Sequence, residues 1–123
     1  MSGSNTYIVD LDILSSAKFS INSTAAVDVS SAITNNGGTD GFVLKSDASG
    51  TASFIHNTNA VDATAERYVS NVAEAWHFLS SPVAAQTISG DWLPTGTYSN
   101  GTGYDLYLWN ESNSCWIYYL DNT

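Results

Sequence analysis

Basic side chains are almost missing from this sequence: Lys18, Lys45 and Arg67 stand against twelve Asp and Glu, for a formal net charge of −9. Binding a phosphate backbone takes clustered Lys and Arg, so the composition argues against nucleic acid as a partner. Cysteine is nearly missing too. Cys115 alone leaves no internal disulfide framework and no cysteine zinc site. Its apolar strand context predicts a buried, inert thiol. Long apolar runs are lacking as well, since nothing approaches the roughly 20 residues that a membrane-spanning helix needs. The opening "MSGSNTY" has neither the basic nor the apolar region of a secretory signal and reads as an expression start from which a native signal has been removed. Only 12% of the residues are charged, so Ser, Thr, Asn and Gly supply most of the polar surface. That balance suits extracellular β proteins better than helical cytosolic enzymes.

What is present suffices for a core: 123 residues, 43% of them hydrophobic, make one domain or two small subdomains. From Tyr7 to His56 short alternating segments are punctuated by small polar corners. "YIVDLDIL" puts Val9, Leu11 and Ile13 on one face and Asp10 and Asp12 on the other. "AKFSI", "AVDVSSAI" and "FVLKS" repeat the alternation, and "TNNGGTDG" and "DASG" turn the chain between them. Two architectures fit such regular, thinly striped strands, an antiparallel sandwich or the stacked rungs of a β-solenoid. No strict repeat length emerges, yet the small inward residues favour the solenoid.

Residues 61–76, "VDATAERYVSNVAEAW", read equally as a helix capped by Asp62 or as a strand at Thr64 to Ser70 followed by a loop. A further strand is expected from Trp76 to Ser80. Beyond Pro82 a long Gly-rich and Thr-rich loop carries Trp92, Leu93 and Pro94. The chain closes on "GYDLYLWNESNSCWIYYLDNT", which predicts strands from Tyr104 to Trp109 and from Cys115 to Leu120 around a polar turn. Neither face of that hairpin is polar: Leu106 and Leu108 lie opposite Tyr107 and Trp109, and Trp116 and Tyr118 oppose Ile117 and Tyr119. Each ring left in water forgoes roughly 1.5–3 kcal/mol of burial, so something must cover it. The fold expected is therefore all-β: a solenoid-like or sandwich stack over residues 1–60, then an antiparallel subdomain over residues 61–123 that holds the Trp76–Ser80 strand, the long loop and the terminal hairpin.

The string "ERYVS…AWHFLSSPV…GDWLPTGTYSNGTGYDLYLWNESNSCW", with "LKSDASGTASFIH" upstream, resembles a module of large secreted and cell-surface proteins of Bacteroidota, many carried by the type IX secretion route. In those proteins a Thr/Asn/Gly-rich, solenoid-like stretch ends in a strand matched here by Ala65, Glu66, Arg67 and Tyr68. Strands matched by Trp76 through Val83 and by Tyr104 through Glu111 follow. The resemblance covers most of the chain from about Ile33 onward. It implies a stalk, adhesin or anchoring role on the outside of the cell, and it brings no catalytic residues. Modules of that kind continue with further strands after the second Trp-containing strand. The resemblance thus implies that cover for the final hairpin comes from another copy or another protein.

Catalytic patterns are thin. His56 and His77 are the only histidines, neither at a metal-ligand spacing, and the apolar neighbours of His77 predict a hydrogen-bonded structural role. Ser80, His77 and an aspartate are the elements of a hydrolytic triad, but no Gly-x-Ser-x-Gly elbow accompanies them. Glu66, Glu74, Asp105 and Glu111 are available as paired carboxylates with nothing in the sequence to pair them. "NNGGTDG" together with Asp10 and Asp12 could offer oxygens to calcium, the one cofactor worth considering, although turn chemistry explains the same residues. Asn22, Asn100 and Asn110 begin glycosylation-type triplets that carry no meaning in a bacterial source.

The aromatics hold the most information. Trp92, Tyr98, Tyr104, Tyr107, Trp109, Trp116, Tyr118 and Tyr119 are the material of a core, of a dry protein interface, or of a sugar-stacking platform. The function expected is a non-enzymatic structural and adhesive module, self-associating through the final hairpin and the first strand, Tyr7 to Leu14, with carbohydrate binding as the alternative. Its partners are then other copies, a neighbouring domain of a larger surface protein, or glycans, with no membrane insertion.

Overall fold

The computed structural model describes residues 5–70, 76–81, 84, 95–96, 103–104 and 106–118. Two compact units divide the chain, Met1–Val83 and Ala84–Thr123. In the first unit β1 (Asn5–Ile8), β2 (Leu11–Ile13) and β3 (Phe19–Ile21) make one rung. A second consists of β4 (Ala26–Val29), β5 (Ile33–Asn35) and, after the one-turn helix α1 (Gly38–Gly41), β6 (Phe42–Leu44). The antiparallel pair β7 (Ser46–Asp47) and β8 (Gly50–Thr51) then leaves the winding, and β9 (Ser53–His56) and β10 (Thr64–Ala65) return to it as a third rung.

Every pairing between rungs is parallel: β1 with β4 and β4 with β9, β2 with β5, and β3 with β6 and β6 with β10. This is the pairing of stacked rungs rather than of an antiparallel sandwich. The period varies with position along a rung. Asn5 faces Ala26, Leu11 faces Ile33 and Phe19 faces Phe42, so the offset grows from 21 to 22 to 23 residues as corners lengthen. It reaches 27 between Ala26 and Ser53, because the β7–β8 excursion intervenes, and returns to 21 between Val43 and Thr64.

Corners are made locally. The Ala17 amide donates to the Leu14 carbonyl at 2.9 Å with Ser16 at φ 66°, and the Ala25 amide donates to that of Asn22 at 2.9 Å. Asn35 closes a third corner with its side chain: Nδ2 donates to the Gly38 and Asp62 carbonyls at 2.8 and 2.7 Å, and Oδ1 accepts from the Gly37 amide. One amide thereby ties the second rung to the third. The excursion is pinned likewise, since Ser23 Oγ, buried under it, donates to Asp47 Oδ2 at 2.7 Å. A Cβ at Gly50 would lie 2.8 Å from the Ser23 carbonyl oxygen, so only glycine lets the two backbones approach.

Alternation points one face of each strand inward, and stacking turns these into columns: Thr6 with Val27 and Phe54, Leu11 with Ile33, Ile21 with Leu44. Val29 and Phe42 lose all exposure. Phe42 sits between Phe19, 5.7 Å away, and Phe54, which meets it edge-on at 4.9 Å. Burying such a ring contributes about 1.5–3 kcal/mol.

The second unit contains two antiparallel pairs, β11 (Thr95–Gly96) with β12 (Gly103–Tyr104) and β13 (Tyr107–Asn110) with β14 (Cys115–Tyr118). Two expectations need correction. No strand forms over Trp76–Ser80: these residues are exposed and irregular, because an apolar run becomes a strand only where a neighbouring backbone offers a ladder. Residues 61–70 form no helix, and the strand there is confined to Thr64–Ala65, fixed by its pairing with Val43 and Leu44. Most of the long loop, Trp92 and Tyr98 included, lies outside the described residues.

Candidate functional site

The terminal hairpin is the best-defined concentration of the aromatics. Its register pairs Tyr107 with Tyr118, Leu108 with Ile117, Trp109 with Trp116 and Asn110 with Cys115. Directly opposed residues share a face, so the positions of Tyr107, Trp109, Trp116 and Tyr118 fall on one side and those of Leu108, Asn110, Cys115 and Ile117 on the other. The Trp109 and Trp116 rings meet across the strands with centroids 5.2 Å apart at 64°, the edge-to-face geometry that aromatic quadrupoles prefer. They keep 40% and 46% of their surface exposed, so the pair presents both apolar area and ring edges to solvent.

Turn chemistry holds the strands in this register. Asn110 Oδ1 accepts from the Asn113 amide at 3.1 Å, and Ser114 adopts φ 48° to close the loop. Of the other aromatic candidates, Tyr104 lies in β12 opposite Thr95, in a different two-stranded sheet from the Trp pair, while Trp92 and Tyr119 lie outside the described residues. Cys115 is exposed, not buried, because its register position is the last pair before the turn.

A second candidate surface follows the edges of the parallel stack. Tyr7 on β1 is 77% exposed and Ile55 on β9 61% exposed; the two strands are the outer members of the order β1-β4-β9. A shallow open groove lined by Tyr7, Ile8, Val9, Asp28 and Ser30 runs beside β1. Sequence alternation marked these residues as strand, but their edge position depends on parallel stacking and has no local signature.

The titratable candidates are dispersed. His56 stacks on Phe54 at 4.7 Å, and His77 is exposed outside any strand, as is Ser80. Glu66 Oε1 accepts from Lys45 Nζ at 2.6 Å and Oε2 from the Ser46 amide at 3.2 Å. The lysine bond first, then the amide, hold the Glu66 carboxyl below its ordinary range. Asp10 is lowered by the Ala32 amide, which donates to it at 3.0 Å, and by Ser31. Asp47 is lowered by Ser23 and by the Ser49 amide. All three carboxylates are committed to holding loops and rungs. Glu111 is exposed in the hairpin turn, and Glu74 and Asp105 lie outside the described residues. Among the described residues no group of three or more His, Cys, Asp or Glu comes together as a metal site, and no helix is long and apolar enough to cross a membrane.

A scan against protein-family models and comparisons with curated proteins and solved structures find no match to this chain.

Proposed function

We propose that this chain is a non-enzymatic structural and adhesive module of a secreted or surface-displayed bacterial protein, and that it associates with copies of itself through exposed strand edges. The observation that carries this reading is a pair of edges that no described strand covers: β1 and β9 bound the same parallel sheet and carry exposed Tyr7 and Ile55. Edge strands with free backbone groups recruit further strands. The resemblance to secreted Bacteroidota modules, the Ser/Thr/Asn-rich acidic composition and the use of Asp10, Asp47 and Glu66 as structural acceptors support the same reading.

Carbohydrate binding is the second reading, favoured by the exposed Trp109–Trp116 pair, since a sugar ring stacks on an indole face. Light scattering across a concentration series separates the two, combined with tryptophan fluorescence during titration with polysaccharides. Mass that rises with concentration, with no quenching, is the expected result. A monomer at every concentration overturns the self-association. Saturable quenching that disappears in Trp109→Ala transfers the function to carbohydrate recognition.

A further inference from the structure

We propose that the two ends of the parallel stack are complementary, so that β9 of one copy takes β1 of the next as a fourth parallel strand while β10 takes β3 beside it. This rests on the self-associating reading above and names its partner and its register.

Hydrogen-bonding direction carries the inference. The Ser53 amide donates back to the Ala25 carbonyl and the Ser30 amide back to that of Ile8. Along a strand the amide and carbonyl of successive residues point to opposite neighbours. The backbone groups of Phe54 and His56 therefore face the open side of β9, and those of Asn5 and Tyr7 the open side of β1. Sliding a second copy along the stack places its Tyr7 opposite Ile55, as Asp28 already is. The Phe54 amide then donates to the Asn5 carbonyl of the next copy, the next copy's Tyr7 amide to the Phe54 carbonyl, and the His56 amide to the next copy's Tyr7 carbonyl. On the third side the Glu66 amide donates back to the Leu44 carbonyl, which leaves Ala65 facing outward toward Ser20 of the next copy.

Side chains agree with this register. Tyr7 and Ile55, each exposed at its own end, become neighbours about 4.8 Å apart in one column. Ile8 and Phe19 at one end and Phe54 at the other are half-buried against the core, and the added rung completes their cover. Since all strands run the same way, no rotation closes the assembly, and a head-to-tail contact of this kind propagates. Each added copy brings −9 of charge, so screening by salt favours growth.

Sedimentation of the whole chain at low and high salt tests the pairing, with Tyr7→Pro and Ile55→Lys as variants. Proline at 7 removes an amide that faces away from β4, and lysine at 55 charges the exposed column without touching the backbone. Wild type is expected to assemble stepwise, further at high salt, and Tyr7→Pro to weaken association roughly tenfold, as loss of one hydrogen bond at the upper end of the usual range implies. Ile55→Lys weakens it too, and serves alone if circular dichroism finds Tyr7→Pro unfolded. Wild-type assembly unchanged in a folded variant overturns this pairing and leaves self-association standing. A wild type that stays monomeric overturns both.

Discussion

In the parallel stack Val29 and Phe42 have no exposed surface, whereas in the terminal hairpin Trp109 and Trp116 retain 40% and 46% of theirs. Both regions are built from strands with alternating side chains. The stack winds its strands around a common interior, so each needs only one apolar face, and rungs above and below cover the columns. The two-stranded hairpin has apolar positions on both faces and, among the described residues, no third strand in its ladder. An isolated hairpin is marginal in water, and cross-strand pairs contribute only about 0.2–1 kcal/mol each. Cooperative stability therefore belongs to the stack, and the exposed aromatic surface to the hairpin.

The largest blow to that contrast is Phe42→Ala. It empties the space between Phe19 and Phe54 and is expected to cost about 3–5 kcal/mol, read as a lower midpoint in chemical denaturation. If the change costs less than the hairpin variants, the stack is not the stable partner. Gly50→Ala comes next, at about 1–3 kcal/mol, because its methyl group meets the Ser23 carbonyl and must lift the excursion. Trp109→Ala sharpens the comparison from the other side. It removes an aromatic contact worth about 0.5–1.5 kcal/mol to the hairpin, and is expected to abolish the coupled-indole signal in near-ultraviolet circular dichroism while the unfolding midpoint barely moves.

Acid should act on the stack by a smaller margin. Asp10, Asp47 and Glu66 all have carboxyls held below their ordinary values of 3.8, 3.8 and 4.5. A depressed native value means that these contacts contribute fully above the ordinary range and lose their contribution as the pH falls through it and then through the native values. Thermal midpoints should hold near neutrality and drop below about pH 4.5; a flat profile down to pH 3 would contradict the linkage. The smallest effect is expected from Glu66→Gln, which removes a pair exposed on both sides, and high salt should erase most of it.

How much of this was legible in the sequence differs between the regions for a physical reason. Val27, Val29, Phe42 and Leu44 announce strands through alternation, and the hairpin declares itself because its partners are adjacent and its turn is local. Parallel stacking is less visible. Offsets of 21, 22, 23 and 27 residues hide the period, since corners absorb insertions outside the ladder. Trp76 to Ser80 misled because its composition suits a strand, whereas its backbone is irregular. Cys115 misled because strand context does not reveal distance from the turn. The Asn35 corner had no signature beyond an Asn beside Gly37 and Gly38, which marks a turn but not the Asp62 carbonyl it holds.

The Ser46–Thr51 excursion carries a practical corollary. Its presence displaces β9 by several positions along the chain, yet Ala26 through Val29 still meet Ser53 through His56 one for one. Foreign peptide spliced between Ala48 and Ser49 would bulge outward from a scaffold that already accommodates a detour at that point. Displayed epitopes or reporter tags carried there would leave the parallel ladder of β4 and β9 intact.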